Sequence, residues 1–237
     1  MKYKRILLKL SGEALSNTDN CELSTSLVKK IADELKQLVD SKVQVVIVVG
    51  GGNITRGATA YKNNELIRTN ADYRGMLATI INGLALQDLF NFYGLKTHVF
   101  SSIKMDRVCD YYTIRQAKQY LSKGYVVICA GGTGSPYFTT DTNASLRAFE
   151  LECDCILKAT KVDGVYDSDP EENPEAKKYD VVTYNKVIEN NLKVMDLTAI
   201  SMCQDNKIPI CVFNMDTPGN ILKVCRGQNI GTSVVGD

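Results

Sequence analysis

Apolar residues in this chain fall into short dense runs, separated by longer stretches in which they recur every three or four positions. Six runs have the character of strands: residues 4–10, 43–49, 96–100, 125–130, 154–159 and 208–213. The second, Val43-Gln44-Val45-Val46-Ile47-Val48-Val49, is interrupted once and rich in β-branched side chains. It predicts a strand buried on both faces of a parallel sheet. Between the runs, Leu27, Ile31, Leu35 and Leu38 mark one face of a helix that Ser24 or Thr25 is placed to cap. The segment from Asn70 to Tyr93, with Met76, Leu77, Ile80, Ile81, Leu84, Leu89 and Phe90, predicts a long, mostly buried helix. A shorter one is expected over 113–122, ending before Gly124. This alternation predicts the α/β class: a three-layer αβα sandwich with a mainly parallel central sheet. No repeat or low-complexity linker divides the chain, so 1–237 reads as a single domain, with functional halves near 1–150 and 151–237. The polar stretch from Asp169 to Lys178, with two of the five prolines, reads as a mobile surface loop.

Composition narrows the function classes. A hydrophobic content of 44% and a charged content of 23% are ordinary for a globular protein, and 237 residues are enough for a sizeable core. The net charge of +1 argues against a surface built for nucleic acid. No run is long enough to span a membrane, and the start, Met1-Lys2-Tyr3-Lys4-Arg5, does not read as a signal peptide. Eight cysteines lack any Cys-x-x-Cys spacing, and His98 is the only histidine, which speaks against a zinc site. Cys129, Cys211 and Cys225 lie within apolar runs as small core residues, and the pattern fits a reducing cytoplasm.

The chemistry gathers at the carboxyl ends of the strands, where open α/β sheets bind ligands. Gly50-Gly51-Gly52-Asn53 follows the second run; its glycines are expected to take positive φ and to leave backbone N–H groups bare for an anion, with Arg56 three residues on. In the first run, Lys9 faces away from Leu8 and Leu10, just before the Ser11-Gly12 turn. It is either a solvated edge lysine or a phosphate ligand. A third turn, Gly131-Gly132-Thr133-Gly134-Ser135-Pro136, leads through Tyr137-Phe138-Thr139-Thr140-Asp141 into a helix. Thr140 or Asp141 sits where the cap belongs; Asp141 either caps or faces the site to orient a lysine or metal. A fourth turn holds Thr160, Lys161, Asp163-Gly164 and Tyr166. Asp-Gly between valines is a hairpin signal by itself, but it leaves Lys161, Tyr166 and Asp169 unexplained; these suit a purine and its ribose.

Several mechanisms are excluded. There is no Gly-x-x-x-x-Gly-Lys-Ser/Thr, no Gly-x-Gly-x-x-Gly at the glycine turn and no Gly-x-Ser-x-Gly elbow. Glycine turns with lysines and an arginine suit phosphoryl transfer, where the obstacle is repulsion between two phosphates. Lys9, Arg56 and Lys161, with Mg²⁺, are placed to reduce it.

Read together, these segments resemble the bacterial uridylate (UMP) kinases of the amino-acid kinase superfamily. The resemblance runs through Lys4–Leu15, Gly50–Asn53 with Arg56-Gly57, Asp72 before Gly75–Thr79, Gly132–Asp141, Leu157–Tyr166, Leu192–Asp196 and Val212–Met215. It implies transfer of the ATP γ-phosphate to UMP, giving UDP and ADP, with Mg²⁺ accompanying ATP. Lys9, Leu10, Ser11, Gly12, Gly52 and Arg56 would then hold ATP phosphates, and Thr160, Tyr166 and Asp169 its adenosine. Gly51, Asp72, Thr133, Gly134, Ser135, Pro136, Tyr137, Phe138, Thr139 and Thr140 would line the UMP pocket. Lys9, Arg56, Asp141, Lys161 and Asp196 would form the catalytic set, the two aspartates organising lysines or Mg²⁺. The resemblance further implies a cytoplasmic homohexamer inhibited by UTP. Asn17–Glu22 replaces a glycine-rich loop, and Gln87 and Asn91 stand where some members carry basic residues. GTP activation is therefore not carried over. A carboxylate kinase of the same fold and a non-catalytic nucleotide sensor are the competing readings.

Overall fold

The computed structural model describes residues 1–16, 21–55, 67–170 and 172–236. Its centre is a nine-stranded sheet. The strands in chain order are β1 (Arg5–Leu10), β2 (Gln44–Val49), β3 (Thr97–Ser101), β4 (Asp110–Tyr111), β5 (Val126–Ala130), β6 (Cys155–Thr160), β7 (Val165–Tyr166), β8 (Lys178–Tyr179), β9 (Val181–Thr183), β10 (Ile210–Asn214) and β11 (Thr232–Val235). Across the sheet the order is β4-β3-β5-β2-β1-β6-β10-β11-β9, and β7 and β8 form a separate antiparallel pair. Every neighbour in the large sheet is parallel except β10 with β11. All six sequence-predicted runs are strands of this sheet.

Alternation along the central strands sorts side chains into two cores. Ile6, Leu8 and Leu10 of β1, with Val45, Ile47 and Val49 of β2, face one layer of helices, Thr25–Asp40, Arg68–Phe92 and Asn220–Cys225. Leu7, Val46 and Val48 face the other, Ile114–Ser122, Thr140–Glu150, Tyr184–Glu189 and Leu197–Asp205. This is the αβα sandwich expected from the pattern. Ser24 caps the first long helix by accepting from the Leu27 N–H. Cys129, Cys211 and Cys225 are buried, as their apolar surroundings foretold.

The Asp163-Gly164 pair is not a hairpin turn. It precedes β7, and the hairpin partner β8 comes only after residues 167–177. Glycine is required at 164 for space: a Cβ there would lie 2.6 Å from Thr232 Oγ1.

Topology decides where a ligand can sit. From β1 the chain adds β2 beside it, crosses to β3 and the edge strand β4, returns to insert β5 between β3 and β2, and then lays β6 on the other side of β1. β1 and β6 therefore flank the switch point of the sheet, and their carboxyl ends open a crevice there.

Candidate active site

Lys9 and Lys158 are register partners on β1 and β6 at that switch point. Lys158 is the one charge within β6, Lys9 lies among the apolar residues that follow Arg5 in β1, and each is mostly buried. Between them stands Asp141, with Oδ1 at 2.9 Å from Lys9 Nζ and Oδ2 at 3.3 Å from Lys158 Nζ. Lys158 also donates to the Val194 carbonyl. Burial alone would push the Asp141 carboxyl up, but the flanking charges of Lys9 and then Lys158 hold it below the usual carboxylate range. Burial pushes the Lys158 ammonium below its ordinary value; Asp141 opposes that and Lys9 adds to it. Two cations around one anion leave a net positive centre in a poorly solvated place, which suits a phosphoryl group that gathers charge during transfer.

Asp141 is free for this because Thr139, not Thr140 or Asp141, is the helix cap. The Thr139 hydroxyl accepts from the N–H groups of Asp141 and Thr142 at 3.0 and 3.2 Å. It also donates to Asp196, which accepts from the Thr142 hydroxyl at 2.9 Å and from the Ala199 N–H, also at 2.9 Å. Asp196 thus caps helix Leu197–Asp205 and ties its start to that of Thr140–Glu150. Its hydrogen bonds go to these groups, and its charge also favours the protonated form of Lys158.

The glycine turn departs from expectation in one respect. Gly50, Gly51 and Gly52 do not take positive φ. Gly51 is needed for space instead, since a Cβ there would lie 2.7 Å from Ala78 Cβ and 3.0 Å from the Gly75 carbonyl oxygen; one on Gly52 would displace the Glu13 carboxylate, 2.6 Å away. The turn is knitted by two amides: buried Asn82 donates to the Gly50 carbonyl and to Asn53 Oδ1, both at 2.8 Å. The Gly50 N–H is taken by the Leu10 carbonyl, whereas among the described residues no acceptor meets the N–H of Gly51 or Gly52. Positive φ occurs in the third turn, at Gly131, Gly132 and Gly134 and at the exposed Tyr137.

Three cavities meet this edge. One, of about 220 Å³, is lined by Gly51, Gly52, Asp72, Gly132, Phe138, Thr139 and Thr140, with Arg68, Met76 and Thr79. A second, of about 340 Å³, has Lys9, Ser11, Glu13, Lys158, Thr160 and Lys161 on its walls. A third, of about 410 Å³, lies between Val162–Pro170 and Asn190–Lys193 and includes Tyr166 and Asp169. The expected residues thus divide into a group at the first cavity and a group at the other two, with the lysine pair among the second. Thr133, Ser135, Pro136 and Tyr137 belong to the third turn beside the first cavity; Leu10 and Gly12 are buried beneath Ser11. Lys161 is exposed, and its carbonyl accepts from Asn214. Tyr166 donates to Asp163 at 2.7 Å, and Lys193 pairs with Asp169 at 3.0 Å. Arg56 lies outside the described residues.

Lys158 is the functional side chain that residue-level reading passed over. Its signal was present: a lone lysine inside Cys155-Ile156-Leu157-Lys158-Ala159-Thr160, the same exception that drew attention to Lys9. Among the described residues no cluster of three or more histidines, cysteines or carboxylates is arranged to hold a metal.

The model of the Amino acid kinase family matches residues 4–214. The chain belongs to this family. Its similarity extends over nearly its whole length to the uridylate kinase of Rickettsia bellii, 52% identical over 99% of this chain and 98% of that protein. The uridylate kinase of Wolinella succinogenes is 48% identical over the same shares. Among solved structures, the UMP kinase of Bacillus anthracis superposes with a TM-score of 0.95 at 40% identity, covering 100% of this chain and 98% of that one. The UMP kinase of Ureaplasma parvum gives 0.91 at 41% identity, over 99% and 100%.

Proposed function

We propose that this chain is an ATP-dependent UMP kinase, transferring the γ-phosphate of ATP to UMP to give UDP and ADP in pyrimidine nucleotide synthesis. The observation that carries the reading is the Lys9–Asp141–Lys158 centre, whose two lysines line one cavity of a crevice that also holds a cavity with Asp72 and one with Tyr166 and Asp169. A phosphate oxygen of UMP attacks the γ-phosphorus, the bond to the β–γ bridging oxygen breaks, and ADP leaves with that electron pair. The step needs alignment and charge compensation more than a strong base. Lys9 and Lys158 offset charge on the transferred group, Ser11 and Gly12 receive the ATP phosphates, and Tyr166 and Asp169 border the adenosine. Gly51, Gly52 and Asp72, with the turn Thr133–Thr140, receive UMP.

Mg²⁺ accompanies this chemistry as the partner of ATP. Of the two aspartates expected to organise lysines or Mg²⁺, Asp141 is committed to two lysines and Asp196 to helix caps, while Glu13 lines the cavity of the lysine pair. Mg²⁺ bound with ATP would supply further positive charge to the transferring phosphates, and Glu13 and Asp141 are the carboxylates near enough to the lysine cavity to orient it. UTP inhibits by occupying the UMP cavity. GTP activation is not part of the proposal: Gln87 and Asn91 accept from the backbone N–H groups of Val99 and Thr97 at 2.9 and 3.0 Å and serve the sheet edge.

The protein works as a homohexamer in the cytoplasm. Supporting assembly, Tyr73, Leu77 and Ile81 form an exposed apolar stripe along helix Arg68–Phe92, and Ile81 borders an apolar groove with Leu23, Ile54 and Leu89. No described helix is long and apolar enough to cross a membrane. A coupled assay with ATP, Mg²⁺ and UMP, run beside CMP, aspartate and acetylglutamate, tests the assignment. UDP formation with UMP preferred is expected; its absence at high enzyme concentration would overturn it.

A further inference from the structure

Helix Thr140–Glu150 carries a second charged residue, two turns beyond Asp141. Arg147 is 5% exposed, and a guanidinium so buried is costly unless its hydrogens are engaged. Nη1 meets Glu150 Oε2 at 2.5 Å, and the same oxygen accepts from the Tyr112 hydroxyl at 2.8 Å. The guanidinium carbon lies 4.0 Å from the Tyr112 ring centroid. Nε has no partner among the described residues. Contacts on two sides fix the plane and leave Nη2 as the directed arm. It donates to Ser102 Oγ at 2.9 Å, and Ser102 in turn donates to the Gly132 carbonyl at 2.7 Å. A serine hydroxyl has one hydrogen; with the guanidinium at its lone pair, that hydrogen is directed onto Gly132.

Gly132 matters because it lines the cavity that also holds Asp72 and Thr140, and its φ of +57° belongs to the left-handed region. Backbone there is weakly determined by its own sterics and takes its orientation from partners. The neighbouring Gly134 is packed on the same serine: a Cβ would lie 3.0 Å from the Ser102 carbonyl oxygen. Long side chains on a helix lean toward its N-terminus, which lets Arg147 reach the ligand edge from the last turn. Lysine would not reproduce the arrangement, since a single ammonium does not present a rigid fork to Glu150 and Ser102 at once.

We propose that Arg147 is a positioning residue for the acceptor nucleotide, acting through Ser102 to fix the Gly132 peptide that floors the acceptor cavity. The identity of that acceptor rests on the UMP kinase reading; the mechanical link does not. Wild type, Ser102→Ala, Ser102→Thr, Arg147→Lys and the Ser102→Ala/Arg147→Lys double variant are compared in steady-state kinetics, with melting temperatures as a control for folding. Ser102→Ala is expected to raise KM for UMP about five-fold or more, with kcat and KM for ATP changed less than two-fold. Ser102→Thr, which keeps the hydroxyl, restores KM. The two losses are strongly non-additive, because they cut one chain of bonds. A folded Ser102→Ala enzyme with unchanged KM for UMP, or with both KM values raised equally, overturns the proposal. Amide hydrogen exchange of the free proteins gives a readout independent of turnover. Residues 131–134 should exchange faster in Ser102→Ala while the middle of helix Thr140–Glu150 does not, and equal exchange overturns the link. A wild type that makes no UDP but shows the exchange difference would sink the UMP assignment and leave the link standing.

Discussion

Asp72 accepts the Tyr137 N–H at 2.8 Å and so joins the N-terminal part of helix Arg68–Phe92, on one face of the sheet, to the third glycine turn. Arg68 holds the same carboxylate through Nε, at 2.9 and 3.1 Å from its two oxygens. Tyr137 has a φ of +73°, a conformation that costs a non-glycine residue about 1 kcal/mol. The bond from Asp72 helps hold it. A carboxylate offers about four lone-pair directions, so it can keep Tyr137 and still meet a ribose hydroxyl.

Asp72→Ala is therefore expected to raise KM for UMP by roughly ten-fold or more with a smaller effect on kcat, because it removes both a ligand and the brace of the turn. Asp72→Asn keeps an oxygen for Tyr137 and should fall between. Steady-state kinetics in UMP check this; a loss of kcat with KM unchanged would contradict the placement.

Removing either lysine should act on turnover. Lys9→Ala and Lys158→Ala are expected to lower kcat by about 10²–10³, the range for losing one preorganised charge contact to a transition state. The Lys158 ammonium is held below its ordinary pKa, chiefly by burial. As pH rises it loses its proton earlier than an ordinary lysine, so activity should decline on the alkaline side. Arginine stays charged there, and any active Lys158→Arg variant should show that decline displaced to higher pH. An unmoved alkaline limb would remove Lys158 from the profile.

Asp141 should matter to stability as well as rate. Asp141→Ala leaves two buried like charges facing each other and is expected to cost about 3 kcal/mol, read by urea denaturation. Lys9→Met keeps one neutral pair and should cost less. The folded Asp141 pKa lies below the unfolded value, so the unfolded chain binds the extra proton in the interval between them. Its stabilisation is complete above the ordinary carboxylate pKa and is lost as pH falls through the folded value. The wild-type advantage over Asp141→Ala should shrink on acidification; an advantage that grew would contradict the pairing.

The exposed stripe on helix Arg68–Phe92 gives a test of assembly. Ile81→Asp places a charge at the end of the stripe that borders the apolar groove, and is expected to reduce the mass seen by light scattering without lowering helix content. An unchanged mass would move the interface elsewhere.

The layer architecture was legible because Leu7 and Leu8 must face opposite ways on a strand buried on both sides, and the same rule holds along β2. The glycine turn was found for its composition and misread in its geometry. A triple glycine suggests freedom in φ, but Gly51 is small because Ala78 of a distant helix packs against it. That contact has no local signal. The Thr139 cap was missed by one position for a similar reason: three candidates stand in a row, and Asp196, far along the chain, joins Thr139 in the arrangement. Lys158 shows the reverse. Its oddity was visible in the strand, yet its importance depends on register with Lys9, which only the assembled sheet supplies.

That register has a further consequence. Neighbouring strands stand about 4.8 Å apart because backbone hydrogen bonds set the distance. The spacing of Lys9 and Lys158 is therefore ruled by the sheet and not by any loop. Turns around the crevice can be lengthened, exchanged or redesigned for other acceptors while this ruler stays fixed. In such a scaffold the choice of what receives phosphate is separable from the means of delivering it.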